Sequence, residues 1–330
     1  MKWQDELLSY LENDKGYESI KKDLRPLTNK NDYTSIPICV LSHMYDKRRS
    51  KFIVDLVKEL SESKEGLLRD TYVFVYSDQK DLYSFLDGLD RVKVVLIEKD
   101  DTNKSLTGKR NYVVNYASQK GWKDIFVIED DTTKYFLPTK SMTSTGVPKN
   151  NKHQLSHQTS FIIWEYYIKT HDIKISAPLI ESSFIWLNFD TLKDTVRRNY
   201  SCIQAIHLSV EAMDKNGIRY DENSGWDDFD MNLQMFLSGN FPTLVPMGYH
   251  TAALKSGIST MEADKLAERC NRSSNLFFKK WGDKLVRIEK KRGLVNARIN
   301  WVKIKNALKS SNLEHVKKEF MPTNSPWWKK

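Results

Sequence analysis

The chain has 330 residues, of which 40% are hydrophobic and 29% are charged, a balance typical of a globular protein rather than of a disordered chain. No apolar run approaches the roughly 20 residues that a membrane-spanning helix needs, so no membrane partner is expected. The net charge of +9 is uneven, because residues 251–330 hold 19 lysines and arginines against 7 acids, a local charge of +12, which leaves −3 for the first 250 residues. A localised positive region indicates a polyanionic partner.

The three cysteines, Cys39, Cys202 and Cys270, are far apart and odd in number. This usage is typical of a reducing compartment, and it favours neither a disulfide framework nor a zinc cluster. The N-terminus is acidic and amphipathic and has no signal-peptide core, so we expect a cytoplasmic protein. We divide the chain into an N-terminal helical segment at 1–30, a main domain at 31–250 and a basic helical region at 251–330.

The first half of the main domain alternates apolar strands with helical stretches. The predicted strands are 36–41, Thr71–Tyr76 and Val92–Ile97, with a helix from about residue 47 to 60 after the first. Strands that alternate with helices predict an α/β fold with a mixed, mostly parallel sheet flanked by helices. Ser42, Asp78 and Glu98 follow these three strands. Such sheets bind ligands beyond the carboxyl ends of their strands, where these side chains would gather.

A helix is predicted over Leu106–Gln119, and it begins with Lys109, Arg110 and Asn111 in its first turns. Basic side chains and the unpaired N–H groups of a helix N-terminus together favour phosphate. The alternative is ordinary capping by Thr107 with exposed bases.

The apolar run 125–128 predicts a strand buried on both faces, and it stops at Glu129, Asp130 and Asp131. Three adjacent carboxylates repel one another unless a cation neutralises them, and oxygen ligands of this kind suit Mg²⁺ or Mn²⁺. A solvated acidic turn after a core strand is the alternative interpretation.

Residues 138–160 are polar and predict a long mobile loop, a common position for a lid. The loop contains His153 and His157, whose spacing of four is that of zinc-binding helices. Because no glutamate follows the first histidine and no third ligand is evident, hydrogen-bonding histidines are favoured over zinc.

Strand character returns at 174–190, interrupted at Glu181, and helical sequence is expected to run to about residue 213. In the segment 225–239, Asp227 and Asp228 precede an amphipathic helix. One of these acids can cap the helix, and the other would be available as a base or for binding an acceptor. A short strand at 241–245 leads to His250.

The last 80 residues are predicted to be helical and basic, with Trp281 and Trp301 interleaved. The basic side chains dense enough to follow a phosphate backbone are Lys279, Lys280, Lys284, Arg287, Lys290, Lys291 and Arg292. The alternative is an aromatic packing stripe with a solvated basic face.

The order of these elements resembles that of nucleotide-sugar glycosyltransferases of the GT-A fold, over roughly residues 36–282. The resemblance rests on four features: the strand end at Ser77-Asp78, the helix start GKRN at 108–111, the acid triplet at 129–131 and the segment WDDFD at 226–230. The triplet matches the DXD motif with glutamate first, and WDDFD matches the catalytic acid pair with aspartate first. The resemblance implies that the sugar donor contacts Ser42, Asp78, Lys109, Arg110, Asn111, Glu129 and Asp130.

The same resemblance implies a Mn²⁺ or Mg²⁺ ion held by Asp131, with Glu129 and His250, beside a UDP-sugar donor. Asp228, with Asp227 beside it, would be the general base of an inverting reaction. If the configuration is retained, Glu181 becomes a candidate stabilising carboxylate.

The stretch 257–282, with the basic C-terminus, is similar to bacteriophage glycosyltransferases that modify hydroxymethylated DNA bases. It implies a hydroxymethylpyrimidine in duplex DNA as acceptor, flipped into the Asp228 cleft, with Trp281 and Trp301 available to wedge or stack. A phage origin would place the protein in the bacterial host cytoplasm. The alternatives are a glycan, lipid or protein acceptor, and a nucleic-acid-binding protein without catalysis.

Overall fold

The computed structural model describes residues 2–29, 33–42, 50–62, 68–102, 104–184, 187, 189, 194–251, 263–291 and 294–320. Its centre is a 10-stranded sheet with the order β3-β2-β1-β4-β9-β7-β10-β5-β6, in which β8 pairs with β10. The strands are β1 (Ile38–Leu41), β2 (Thr71–Tyr76), β3 (Val92–Ile97), β4 (Asp124–Glu129), β5 (Thr132–Met142), β6 (Pro148–Leu155), β7 (Ile175–Ile180), β8 (Arg197–Arg198), β9 (Ile206–Ser209) and β10 (Thr243–Thr251).

The direction of these strands confirms a mixed, mostly parallel sheet. Strands β1 to β4, β6, β7 and β10 run one way, whereas β5, β8 and β9 run the other way. The carboxyl ends of β1, β4 and β10 therefore meet at one edge of the sheet, where β5 also begins. Strands β1, β2 and β4 are buried along almost their whole length, as their continuous apolar sequences predict.

The helices flank the sheet and connect its strands. In chain order they are α1 (Trp3–Glu12), α2 (Glu18–Leu24), α3 (Lys51–Glu62), α4 (Leu106–Gln119), α5 (His157–Thr170), α6 (Glu181–Phe184), α7 (Val210–Asn216) and α8 (Asp227–Leu237). Trp3, Leu7 and Tyr10 of α1 are buried in the main core, and the Tyr10 hydroxyl donates to the carbonyl of Pro138 at 2.9 Å. The N-terminal segment is thus packed on the sheet. Within the described residues, no helix combines the length and the apolar character that crossing a bilayer requires.

The expected mobile loop at 138–160 is wrong. Its residues form the end of β5, the whole of β6 and the start of α5. Strand β6 is the edge of the sheet, and an edge strand with one solvated side accommodates the polar residues that made the segment read as a loop. The Nδ1 of His157 lies 2.8 Å from Glu59 Oε1, as the hydrogen-bonding interpretation of this histidine predicts.

The helical run expected after residue 190 and up to about residue 213 is also wrong. The described residues 194–209 contain β8 and β9, and a helix begins only at Val210. Strand β9 pairs with β4 and β7. A strand of four residues gives little periodic signal, and its identity is decided by its two neighbours in the sheet. The strand predicted at 241–245 is longer than expected and includes His250.

The C-terminal region is not purely helical. It contains α9 (Ala263–Leu285), a hairpin of β11 (Val286–Lys291) and β12 (Leu294–Ile299), then α10 (Trp301–Ser310) and α11 (Leu313–Phe320). Residues of this region share a second core with one face of α8, including Phe229 and Phe236. Trp281 is fully buried in that core and Trp301 is 9% exposed, so neither indole can wedge or stack against a base, contrary to the sequence interpretation.

A buried carboxylate joins the C-terminal region to α8. Asp230 accepts hydrogen bonds from the Trp281 indole and the Gln234 amide at 2.7 and 2.6 Å, and the Lys280 ammonium lies 2.7 Å from it. Just before α8, Gly225 has φ +78°, and a Cβ there would lie 2.3 Å from the Ser273 carbonyl of α9. Only glycine fits this conformation and this approach, so α9 fixes where α8 begins.

Lys280→Met should therefore destabilise the protein by about 3 kcal/mol, because it leaves the buried Asp230 carboxylate without its cation. Lys279→Met changes the neighbouring exposed lysine and should stay within about 0.5 kcal/mol of wild type. Urea unfolding of both variants measures the difference. Equal free energies of unfolding would show that the Lys280–Asp230 contact does not hold the two cores together.

Candidate active site

The site lies where β1 and β4 end side by side. Leu41 and Glu129 are partners in the parallel ladder, and Ser42 and Asp130 follow them directly. The Ser42 hydroxyl donates to the Asp130 carboxylate, which also accepts from Ser50 Oγ at 3.0 Å. Burial raises the pKa of Asp130, although the two serine hydroxyls act in the opposite direction. The Asp130 carboxylate therefore ties Ser42, which follows β1, and Ser50, which precedes α3, to the end of β4.

The side chain of Lys109, which lies on α4, reaches the carboxyl end of β1. It is 2% exposed, its ammonium donates to the Ser42 carbonyl at 2.6 Å, and it lies 4.2 Å from the centre of the Tyr76 ring. Burial lowers the pKa of Lys109 to about 8, although Asp130 and the exposed Asp78 act in the opposite direction. The predicted donor residues Ser42, Asp78 and Lys109 are thus brought together at the ends of β1 and β2.

Arg110 lies at the centre of a second group, made of three carboxylates. Its guanidinium donates to Glu129 Oε1 at 2.5 Å and to Asp227 Oδ2 at 2.7 Å, and its Nη1 lies 2.9 Å from Asp228 Oδ1. The Tyr220 ring lies 5.5 Å from the guanidinium carbon. Burial opposes the charge on Arg110, but the carboxylates of Asp228, Asp227 and Glu129 hold its pKa above the ordinary value.

The acids at the start of α8 thus face Arg110, and neither fills the N-cap position, which belongs to Trp226. Asp227 also accepts from the Thr107 hydroxyl at 2.9 Å. Asp228 Oδ1 accepts no hydrogen bond among the described residues despite its charge contact with Arg110. Burial raises the pKa of Asp228 to about 7, with Arg110 opposing and Asp227 and Glu129 reinforcing the shift.

Asp131 is the least satisfied of the strand-end acids. Its Oδ1 is buried and accepts no hydrogen bond from any described residue. Burial, reinforced by the negative charges of Glu129 and Asp130, raises the pKa of Asp131 to about 7. A buried carboxylate oxygen without a donor is costly unless a cation or a ligand neutralises it.

His250 does not join Asp131 and Glu129. Its Nε2 lies 3.0 Å from Glu181 Oε2, and its Nδ1 lies 3.1 Å from the Thr133 hydroxyl. Burial, together with Lys152 and Lys134, lowers the pKa of His250. Within the described ranges, no three His, Cys, Asp or Glu side chains are gathered closely enough to hold a metal ion by themselves. The expected three-residue ligand set is therefore not assembled in this structure.

The residues present still fit a divalent cation of the magnesium type. Such ions are commonly held by one or two carboxylates together with substrate phosphate oxygens and water. The unpartnered oxygen of Asp131 supplies one such ligand, and Glu129 carries its charge two residues away. Asp131 is thus the residue that would hold the ion, with the remaining ligands coming from a bound diphosphate.

Asn111 has a different surrounding from the one expected. Its side chain bonds the backbone of Tyr220 twice, through Nδ2 to the carbonyl at 2.8 Å and through Oδ1 from the N–H at 2.9 Å. It thereby positions the tyrosine beside Arg110. The sequence interpretation missed Tyr76, Tyr220 and Ser50, because none of them belongs to a motif and each reaches the site only through folding.

The predicted DNA-contacting side chains are only partly available. Lys280 is 12% exposed on its side chain and lies between Asp230 and Asp221, so its assignment as a phosphate contact is wrong. Lys284 donates to the Glu319 carbonyl at 2.6 Å, and Arg287 pairs with Glu289 at 2.8 Å, both at exposed positions. Lys279 and Lys290 are exposed. The Lys291 side chain and the whole of Arg292 lie outside the described residues.

No protein-family model matches the chain, and the comparison with curated proteins found no match. Among solved structures, it is similar to S. aureus TarS 1–349 at 10% identity, covering 74% of this chain and 72% of that one, with a TM-score of 0.45. The mannosyltransferase PcManGT from Pyrobaculum calidifontis, in complex with GDP-Man and Mn²⁺, is 8% identical over 78% of this chain and 70% of that one, with a TM-score of 0.45.

Glucosyl-3-phosphoglycerate synthase from Mycobacterium tuberculosis, in complex with Mn²⁺, uridine diphosphate and glucosyl-3-phosphoglycerate, is 8% identical. That similarity covers 81% of this chain and 87% of the other, with a TM-score of 0.41.

Asp131→Asn should raise the melting temperature of the metal-free protein more at pH 8 than at pH 5. The folded-state pKa of about 7 exceeds the ordinary 3.8, so ionisation of this carboxyl lowers the free energy of unfolding of the protein as the pH rises from about 4 to 7. The ionised group remains destabilising above that range. The amide removes the charge that causes the loss. Thermal unfolding at both pH values measures the difference, with the exposed Asp87→Asn as control.

Added Mn²⁺ and UDP should then raise the melting temperature of wild type and of Asp87→Asn, but not that of Asp131→Asn. An equal rise in all three proteins would remove Asp131 from the metal site.

Proposed function

We propose that this protein is a metal-dependent glycosyltransferase that moves a sugar from a UDP-type nucleotide sugar to a hydroxyl group. The observation that carries the proposal is the buried, unpartnered Asp131 oxygen at the end of β4, in the position of the last acid of a DXD motif. The neighbouring side chains support it, because Lys109 and Asp78 gather at the ends of β1 and β2. This edge is where α/β sheets bind nucleotides.

When a divalent ion is bound at Asp131, it neutralises charge on the leaving diphosphate. The chain adds its own cation there, since Lys109 is held against Ser42 with a pKa of about 8 and is largely protonated at neutral pH. The guanidinium of Arg110 instead donates its hydrogen bonds to Glu129 and Asp227. Its role is to hold the three acids in place and to oppose the rise in the pKa of Asp228 that burial causes, rather than to bind phosphate directly.

Asp228 is the proposed general base. A base works best when its pKa lies near the working pH, and burial places that of Asp228 at about 7. In the inverting reaction, the acceptor oxygen attacks the anomeric carbon while its proton passes to Asp228. The bond from that carbon to the diphosphate oxygen breaks, and the nucleoside diphosphate leaves with the electron pair. Asp227, fixed by Arg110 and Thr107, sets the position of its neighbour.

Asp228→Asn should lower the transfer rate by about 10²–10⁴-fold, because the amide cannot accept the proton. Donor affinity should change little, since Asp228 is not among the donor contacts. Initial rates with a panel of nucleotide sugars, together with UDP binding, measure both quantities. Asp214→Asn, at an exposed ion pair with Arg219, is the matched control. Unchanged turnover, or a product that retains the anomeric configuration, would contradict the assignment and direct attention to Glu181.

For the acceptor, we propose a hydroxymethylated pyrimidine in duplex DNA. Support comes from the +12 charge of residues 251–330 and from exposed Lys279 and Lys290 on the C-terminal region, which is packed directly on α8. Because Trp281 and Trp301 are buried, contact would be made through the phosphate backbone without aromatic wedging. A glycan, lipid or protein acceptor is the competing candidate, and it would use the same acids.

DNA binding should weaken steeply with salt, with log K falling by about 0.9 per log unit of salt for each neutralised phosphate. Anisotropy titrations of labelled duplex at two salt concentrations measure the slope. The double substitution of Lys279 and Lys290 by methionine should reduce the slope, whereas Lys120→Met, at the exposed C-cap of α4, should leave it unchanged. Weak, salt-independent binding would exclude DNA as acceptor and leave the transferase proposal intact. Donor hydrolysis that requires Mn²⁺ separates an enzyme from a protein that only binds nucleic acid.

A further inference from the structure

A cavity of about 560 Å³ lies on the other half of the sheet, where β10 ends and β5 begins. Its volume is in the range of small-molecule sites, about 300–1,000 Å³. The side chains that line it are Lys51, Asp55, Thr133, Lys134, Phe136, Lys152, Gln154 and His250. Except for His250, none of these residues belongs to the donor, metal or base positions described above.

The lining carries a net positive charge. Three lysines face a single acid, Asp55, and no described carboxylate pairs with Lys51 or Lys134. Lys152 is the exception, since it pairs with Glu181, which also contacts His250. Lysines gathered around a concave surface repel one another unless an anion lies between them, so the lining is complementary to a negatively charged group.

The position of the cavity connects it to the proposed active site. Strand β5 begins directly after Asp131, and Lys134 and His250 are partners across the ladder of β5 and β10. The donor residues Ser42, Asp78 and Lys109 lie instead at the ends of β1 and β2. Asp131 therefore stands between the two halves, with the donor side on one flank and the lysine-lined cavity on the other.

We infer that this cavity is the acceptor subsite, and that it holds a phosphate or carboxylate group of the molecule that receives the sugar. The inference rests on the proposed transferase function. The anionic group would lie among Lys51, Lys134 and Lys152, with the Phe136 ring as an apolar wall. The hydroxyl-bearing part of the acceptor would then extend over the strand ends towards Asp131 and Asp228. A donor diphosphate is accounted for elsewhere, by Lys109 and the ion at Asp131.

Titration of inorganic phosphate at constant ionic strength tests the anion site without any turnover. Phosphate should shift one histidine-ring NMR resonance, identified as that of His250 by its absence in His250→Gln. Lys134→Met should weaken phosphate binding at least tenfold, and Lys51→Met is a second variant with the same expected result. Lys140→Met is the control, because Lys140 lies on β5 but outside the lining. No shift in wild type, or equal affinity in Lys134→Met and Lys140→Met, would overturn the inference.

A second titration uses UDP with Mn²⁺ on the same proteins. Unchanged UDP affinity in Lys134→Met, with phosphate and UDP bound together, supports an acceptor subsite. Competition between phosphate and UDP, with both weakened in Lys134→Met, would assign the cavity to the donor diphosphate and overturn the inference. Failure of the proposed function has a different signature, because UDP then fails to bind while the phosphate shift persists.

Competition experiments distinguish the source of the anionic group. Displacement of phosphate from the cavity by glycerol 3-phosphate indicates a small phosphorylated acceptor. Displacement by duplex DNA, with no effect of glycerol 3-phosphate, indicates the phosphodiester of a polymer. If neither compound displaces phosphate, the cavity does not receive a phosphorylated acceptor. Displacement of phosphate by a carboxylate such as glycerate would then support a carboxylate-bearing acceptor, and failure of the carboxylate to displace it would overturn the inference.

Discussion

The ion pairs of Arg110 are the interaction on which the proposed active site depends. One buried guanidinium joins α4, the end of β4 and the start of α8 through Glu129, Asp227 and Asp228. Without it, three carboxylates would face one another in a poorly solvated place and would repel or take up protons. Its single positive charge does not balance the three carboxylates, and the pKa of Asp228 remains near 7. Asp131 lies outside this group, and burial with the charges of Glu129 and Asp130 raises its pKa to about 7 as well. The site thus holds more negative than positive charge, and a divalent cation can balance the excess.

The C-terminal region explains how α8 is held in the right place for this arrangement. One face of α8 packs in the main core through Met231 and Met235, and the other face packs in the second core through Phe229 and Phe236. Asp230 adds a buried polar contact to Lys280 and Trp281 of α9. Aromatic side chains that suggested stacking on nucleic acid therefore stabilise the position of the proposed base, and exposed basic side chains such as Lys279 and Lys290 remain for a partner.

Charge is distributed differently on the two flanks of Asp131. On the side of β1 and β4, carboxylates outnumber cations, which suits a metal ion with its diphosphate. On the side of β5, β6 and β10, lysines outnumber acids, which suits an anionic group. His250 belongs to the second flank, because Glu181 and Thr133 hold its ring there. A reaction that joins a diphosphate-bearing donor to an acceptor needs two such separate subsites meeting at the reacting centre.

The sequence by itself determined the elements whose signal is local. The bounds of Thr71–Tyr76, Val92–Ile97 and Leu106–Gln119 were predicted as the structure has them, because continuous β-branched runs and capped helical stretches carry their own conformational preference. It also placed the acids at the end of a buried strand. Only the tertiary structure decided that 138–155 is an edge hairpin, that Arg110 pairs with Asp227, and that His250 pairs with Glu181. The two members of each pair are far apart in the chain, and a side chain chooses among distant partners of suitable charge only once the strands are aligned.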